Sequence, residues 1–414
     1  MKRALLAFSL GILAATILTI LPVQAAWAAP NYKVLHAFGA GKDGGGLWTS
    51  VTLDKKGDLY GATSGGGAYA YGTVFRLAPH PNGNWTETVL HSFKNGDPDG
   101  SEPNGGLVQD PSGKWYGTTS RDGAYHGGTA FQLTHEPNGW KANVIYAFGE
   151  KSDDGGFPMA GLIMDGTGNL YGTTPKGSPW STAFELTPDS GGWKETVIYR
   201  FCASSPNCAD GTEPQAGLIL DAKGNLFGTT AGGGTGCGAG GCGTVYELQR
   251  TSSGWKEVVL HRFNNDGKDG VEPGWGALAM NGRGSLYGTT FVGGSAGYGT
   301  VFSLSRRSNG RWKETVLYNF GNDSNGSGPG GGVVMDKASS LYGTTTYGGS
   351  GCGVVYKLAP GARGKWAYTV LHSFGGSDGC QPDANLILDS KGNLYGTTAT
   401  GGVYGAGVVF EVTP

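Results

Sequence analysis

The chain is expected to fold as an all-β, seven-bladed propeller, and three features of its sequence lead there. A pentapeptide of the form Leu-Tyr-Gly-Thr-Thr recurs seven times, with its aromatic residue at Tyr60, Tyr116, Tyr171, Phe227, Tyr287, Tyr342 and Tyr395. The spacings of 56, 55, 56, 60, 55 and 53 residues mark one structural unit repeated along the chain. Each unit holds four short apolar runs between glycine-rich turns, the content of one blade, whereas a β-helix coil needs roughly half that length. The two ends are also offset by one strand. Val34-Leu35-His36-Ala37-Phe38 matches the fourth run of a unit (Val89-Leu90-His91-Ser92-Phe93), while the C-terminus stops at a third run, Val408 to Val412. Pairing the two would close the ring and remove its exposed edges.

One unit shows how each strand follows from its residues. Gly217 to Asp221 is a short apolar strand, and Ala222-Lys223-Gly224-Asn225 is a turn in which Asp221 can accept from backbone amides. Leu226 to Thr230 returns as the second strand of a hairpin. A glycine-rich loop from Ala231 to Gly243 leads to Thr244–Leu248, β-branched and aromatic as strands prefer. After a polar turn, Trp255 to Phe263 forms the fourth strand. Alternation puts the Tyr of the pentapeptide on one face, toward a neighbouring blade. The bare Gly lies on the other, where it admits a bulky group. The expected blades span about 47–93, 105–148, 161–201, 217–263, 277–320, 332–374, and 385–412 with 32–38, in one propeller over 29–414.

Composition fits this reading. Glycine supplies 80 of 414 residues, far above the ~7% of ordinary chains, yet without the period of collagen. The net charge is −2 and no basic stripe exists, which argues against a nucleic-acid partner. Lys2 and Arg3 precede an apolar run from Ala4 to Leu21 and then small residues, the pattern of an export signal over 1–28. Retention of that run as an anchor is the alternative. No second hydrophobic span follows, so no other membrane contact is expected, and the protein is placed outside the cell, in the periplasm or at the cell surface. Six cysteines in an exported chain favour disulfides, and proximity pairs Cys202 with Cys208, Cys237 with Cys242, and Cys352 with Cys380. Zinc is the rival reading, but the spacing is irregular and no histidine stands nearby.

The unit Gly217-Leu218-Ile219-Leu220-Asp221, Gly224-Asn225-Leu226-Phe227-Gly228-Thr229-Thr230, Gly243-Thr244-Val245-Tyr246-Glu247-Leu248 and Trp255 to Phe263 resembles the tandem repeat of the GloVer family of exported bacterial proteins. Its first two strands are also similar to blades of NHL type. The resemblance covers the mature chain and implies export and a propeller-like repeat. It brings no catalytic residues.

Candidate functional residues are sought where the copies carry chemistry. His36, His91, His261 and His372 share one fourth-strand position with Tyr146, Tyr199 and Tyr318, which suits an amphipathic packing site. The loops entering each first strand carry Asp-Gly-x-x-Pro, including Asp99 with Glu102, Asp154, Asp210 with Glu213, Asp269 with Glu272, and Asp378. The structural reading is a loop brace; the functional one is a ring of carboxylates on one face. Asn95 to Gly100 resembles the start of a calcium loop, but Gly106 stands where a bidentate Glu is needed, so no metal or cofactor is expected, with calcium kept as the alternative. The loops between second and third strands belong to the same face and hold Tyr71, Tyr125, Trp180, Tyr298 and Tyr404. Trp48 and Trp275 stand at the entrance to two first strands. Rings beside Asp, Asn and Gly suit sugars, which stack on π faces and bond at their rims.

These features point to a monomeric binding module that recognises a glycan or an exported protein through the loop face. The alternatives are a lyase or hydrolase with one asymmetric site near the central channel, for which His126 with Arg121 and Asp122 is the candidate cluster, and a structural envelope protein.

Overall fold

The computed structural model describes residues 30–414, apart from 97, 178, 179, 204 and 205. The expected export signal over 1–28 lies outside the described residues. These residues form seven four-stranded antiparallel sheets, six of them with their strands in chain order from the channel outward. In the fourth blade the strands are Ile219–Leu220, Leu226–Thr230, Thr244–Thr251 and Gly254–Arg262. The seventh blade consists of Ile387–Leu388, Leu394–Thr398 and Val408–Thr413, and Asn31–Ala37 is its outer strand. The register runs from Asn31 opposite Thr413 to Ala37 opposite Val408. The last blade is therefore closed by the start of the chain.

Packing between blades repeats with the sequence. In five blades the pentapeptide Tyr leans on the outer-strand Trp of the following blade, as Tyr116 does on Trp193 and Tyr171 on Trp255, with centroids 5.7 and 5.9 Å apart. The bulky group at the pentapeptide Gly comes from the blade's own third strand. A Cβ on Gly117 would lie 2.7 Å from Cζ of Phe131, its cross-strand partner. That ring in turn meets the phenylalanine ending the preceding outer strand, Phe93, at 5.3 Å. The same pair recurs at every seam, and Phe38 with Phe75 at 5.0 Å supplies the seventh. Each outer strand has a register shift beside this site, as between Val74 and Phe75 opposite His91 and Val89. Such bulges re-aim the next side chain.

The innermost strands are short because they crowd around the axis. A Cβ on Gly276 would fall 1.9 Å from the backbone nitrogen of Gly332, so two blades touch there backbone to backbone. Threonine hydroxyls tie neighbouring inner strands together. Thr118 donates to the carbonyl of Ala160 at 3.0 Å, Thr289 to Gly331 at 2.9 Å and Thr397 to Thr49 at 2.9 Å, the last across the closure. Thr229 is the exception, a buried hydroxyl without a partner. The fifth blade carries one more residue than the fourth between its loop proline and its first-strand leucine (Pro273 to Leu278 against Pro214 to Leu218), and this displaces the expected acceptor.

All three expected cysteine pairs are bonded: Cys202–Cys208, Cys237–Cys242 and Cys352–Cys380. Disulfides fit an oxidising, extracytoplasmic setting. Among the described residues no helix is long and apolar enough to cross a membrane.

Candidate functional site

The loop from each outer strand to the next inner strand pairs with its own blade's loop between second and third strands. Gly45 bridges Gly65, Ser101 bridges Arg121, and Cys380 bridges Thr400. Both loop sets therefore form one face, here called the upper face. The turns between first and second and between third and fourth strands form the lower face.

The Asp-Gly-x-x-Pro motif works as a clasp between blades. Its aspartate is held by the re-aimed outer-strand residue: His91 to Asp99 at 2.7 Å, Tyr146 to Asp154 at 2.9 Å and Tyr199 to Asp210 at 2.8 Å. His261 reaches Asp269 at 3.0 Å and His372 reaches Asp378 at 2.8 Å. Asp154, Asp210 and Asp269 are buried. The glycine admits a threonine, since a Cβ on Gly100, whose φ is +87°, would lie 2.0 Å from Oγ1 of Thr119. The residue before proline is left-handed: Glu102, Phe157, Glu213, Glu272 and Gln381 have φ between 53° and 58°. That conformation is costly for residues with a Cβ. It aims their amides at the preceding blade, as Glu102 N–H donates to the carbonyl of Tyr71 at 3.0 Å and Gln381 N–H to that of Cys352 at 3.1 Å. The proline then covers that blade's glycine; Cδ of Pro103 would lie 2.6 Å from a Cβ on Gly72.

The residue after the proline, or after Leu47 in the first blade and one position later at Trp275 in the fifth, faces the central channel, where a cavity opens. A cavity of about 570 Å³ occupies the upper mouth, lined by Trp48, Glu102, Asn104, Met159, Gln215, Trp275, Asp383 and Ser64. Trp48 is 46% exposed and Trp275 52%. Below the mouth the channel continues between inner strands of several blades. Glu102 is held by Arg121 Nε at 2.6 Å. Asp383 accepts a short hydrogen bond from Thr346, yet burial raises its carboxyl above the ordinary range. It stands beside the backbone of Gly330, where a Cβ would meet its oxygen at 2.7 Å.

Of the residues singled out in the sequence, the structure thus brings Trp48, Trp275 and Glu102 to one cavity. Asp99, Asp154, Asp210, Asp269 and Asp378 sit in the clasps. Glu213 accepts from Gln215 at 3.2 Å beside the mouth, and Glu272 is exposed on the same loop face. Tyr71 is packed against the core and its hydroxyl accepts from Asn95 at 2.9 Å. Tyr125 is exposed and donates to Glu150 at 3.1 Å. Trp180 is half-buried, while Tyr298 and Tyr404 are exposed on separate blades. Trp275 continues instead to Phe291 at 6.0 Å and on to Tyr347 at 6.4 Å, an aromatic arc leading away from the mouth. Arg121 pairs with Glu102, Asp122 accepts from Ser101, and His126 stands exposed without joining either. The calcium-like stretch includes residue 97, outside the described residues; among the described residues no group of three or more His, Cys, Asp or Glu is placed to hold a metal ion.

Asn104, Met159, Gln215 and Asp383 escape sequence reasoning. The signal was present nonetheless: the position after the loop proline changes its chemistry from copy to copy, while the clasp around it stays the same.

Outside the mouth, the seams hold paired acids. Glu87, Glu257 and Glu314 are raised to about 7, chiefly by burial and then by the clasp aspartates Asp43, Asp210 and Asp269.

A family model described as the Gloeobacter/Verrucomicrobia repeat matches residues 19–239 and 236–414. No curated protein matches the chain. Among solved structures, a 6-phosphogluconolactonase-type protein of Bacteroides uniformis superposes with a TM-score of 0.53 at 13% identity, covering 82% of this chain and 88% of that one. An ancestral GH74 enzyme superposes with a TM-score of 0.54 at 12% identity, covering 89% of this chain and 48% of that one. At such identities the likeness is one of fold.

Proposed function

The chain belongs to the Gloeobacter/Verrucomicrobia repeat family, and on that premise we propose that it is an exported, monomeric binding module that holds a glycan at the upper mouth of its channel. The observation that carries this reading is the pair of half-exposed indoles, Trp48 and Trp275, on one cavity with the amides of Asn104 and Gln215 and the carboxyls of Glu102 and Asp383. Indole faces stack on the C–H side of a pyranose, while amides and carboxyls bond its hydroxyls. A volume of about 570 Å³ suits one or two sugar rings. Asp383, held by Thr346, presents its carboxyl to the same cavity. The disulfides support the extracytoplasmic setting.

A glycan array followed by titration calorimetry tests the assignment. Trp48→Ala and Trp275→Ala should each weaken a binder by about 2 kcal/mol, roughly thirtyfold. A blank array, or undiminished binding by the double variant, would refute the site.

A further inference from the structure

Seven copies of one unit provide an internal control, because a residue that departs from the other copies is not demanded by the blade. Such departures gather in a second place, the lower-face cleft between the first and second blades. This cavity of about 680 Å³ is lined among others by Asp54, Asp58, Tyr60, Arg76, Trp115 and Trp140.

Three departures leave polar groups without internal partners or alter the charge there. In the second, third, sixth and seventh blades the pentapeptide tyrosine donates to the aspartate ending the first strand. The distances are 3.1 Å for Tyr116 to Asp110, 3.0 Å for Tyr171 to Asp165, 3.0 Å for Tyr342 to Asp336 and 3.4 Å for Tyr395 to Asp389. In the first blade that bond is not made. Asp54 uses only Oδ1, which accepts from the amides of Lys56 and Asp58, so the Tyr60 hydroxyl and Asp54 Oδ2 are left to the cleft. Second, Trp115 replaces the leucine that opens the other six pentapeptides. It is fully buried, stacks on Tyr60 at 4.0 Å, and its indole N–H has no acceptor. Third, Asp58 stands where other copies carry Lys114, Asn169, Asn225, Ser285, Ser340 or Asn393, and Arg76 binds it through Nε at 2.7 Å and Nη2 at 2.5 Å.

We propose that this cleft is a second ligand site, independent of the channel mouth, for a neutral polyhydroxylated ring of pyranose type. The wall offers the partly exposed ring of Trp140, the free carboxylate oxygen of Asp54 and the free phenol of Tyr60, which Trp115 supports from behind, a set that matches hydroxyls carrying both donors and acceptors. The charges argue for a neutral ligand. Lys55, Lys56 and Arg76 balance Asp54, Asp58 and Asp110, and the guanidinium is already engaged by Asp58.

The repeat supplies the test variants. Trp115→Leu installs the residue used by six blades, and Tyr60→Phe installs that of the fourth blade, Phe227. Tyr60→Phe should melt with the parent, while Trp115→Leu, which shrinks a fully buried side chain, should melt a few degrees lower but remain folded. Ligand-observed NMR and calorimetry would use methyl glycosides of neutral hexoses, glucuronate and inorganic phosphate, all against a Trp48→Ala/Trp275→Ala background that disables the mouth. A neutral glycoside should bind that background, and Tyr60→Phe and Trp115→Leu should each weaken it at least tenfold. Absence of neutral-glycoside binding, binding indifferent to both substitutions, or binding of glucuronate or phosphate alone would overturn the proposal. None of these outcomes bears on the channel mouth.

Discussion

Replacing Phe38 with alanine tests ring closure at one side chain. Phe38 is fully buried, packs on Phe75 at 5.0 Å and belongs to the segment that completes the seventh blade. Its counterpart Phe201 is equally buried, lies within the continuous part of the chain and meets Tyr246 at 4.9 Å. Removing a buried phenylalanine costs about 3–5 kcal/mol, counting lost transfer and the cavity left behind. With an unfolding entropy of about 2.1 cal/mol/K per residue, some 385 residues give about 0.8 kcal/mol/K, so Tm should fall by about 4–6 °C. Calorimetry of Phe38→Ala and Phe201→Ala should therefore return similar losses. Deleting residues 31–38 should cost more, because it also uncovers the edge of Val408–Thr413, whose valines and Phe410 are buried. If Phe38→Ala melts with the parent while Phe201→Ala does not, the N-terminal strand is an appendage and the closure argument fails.

Two further substitutions probe the seams. Glu257 titrates near 7 in the folded chain, through burial and then Asp210, against an ordinary 4.5. Between these values the native state keeps a proton that the unfolded chain has released, so stability falls as pH rises from about 4.5 to 7 and the penalty is full above that. Glu257→Gln should stabilise by about 1 kcal/mol at pH 8, allowing for partial exposure, and by little at pH 4.5. Equal urea midpoint shifts at both pH values would remove the titration from the explanation. His36 and His372, held below their ordinary value by burial, act in the opposite sense on acidification and are common to both proteins. The Cys352–Cys380 bond joins loops of adjacent blades over a separation of 28 residues. The loop-entropy relation assigns it about 3.5 kcal/mol, so Cys352→Ser/Cys380→Ser should lower the urea midpoint under oxidising conditions and shrink its response to reductant to what the two remaining disulfides contribute. A variant whose midpoint responds to reductant as strongly as the parent's would contradict the pairing.

The blade order, the closure and the cysteine pairs were legible because each rests on something linear: a period, an offset between ends, a proximity. The clasp was only half legible. Asp-Gly-x-x-Pro announces a turn, but the reach of His91 back to Asp99 depends on the outer-strand bulge, and the left-handed φ of Glu102 depends on an acceptor one blade away. Neither has a mark in the chain that propensity can read. The channel mouth was less legible still. Aromatics were sought wherever loops carried them, but Tyr71 packs inward and Tyr404 stands alone, whereas Asn104, Gln215 and Asp383 converge only because seven inner strands meet at one axis.

In a tandem repeat the informative comparison is therefore between copies at one structural position. What recurs from blade to blade, such as the pentapeptide in all seven or the clasp aspartate in six, has its use in the blade and its seams. What varies in chemistry at a position whose backbone is held constant is free to serve something outside the fold. The residue after the loop proline, or after Leu47 in its place, meets that condition at the upper mouth, with Trp48, Asn104, Met159, Gln215 and Asp383 on equivalent supports. Trp115 and Asp58 meet it at the lower cleft, beside a Tyr60 and an Asp54 that leave open the bond four other blades make. The criterion also explains why Thr229 is no site. Its hydroxyl is orphaned by the extra residue in the adjoining blade, the same insertion that brings Trp275 to the channel, so the lost bond is a by-product of building the mouth.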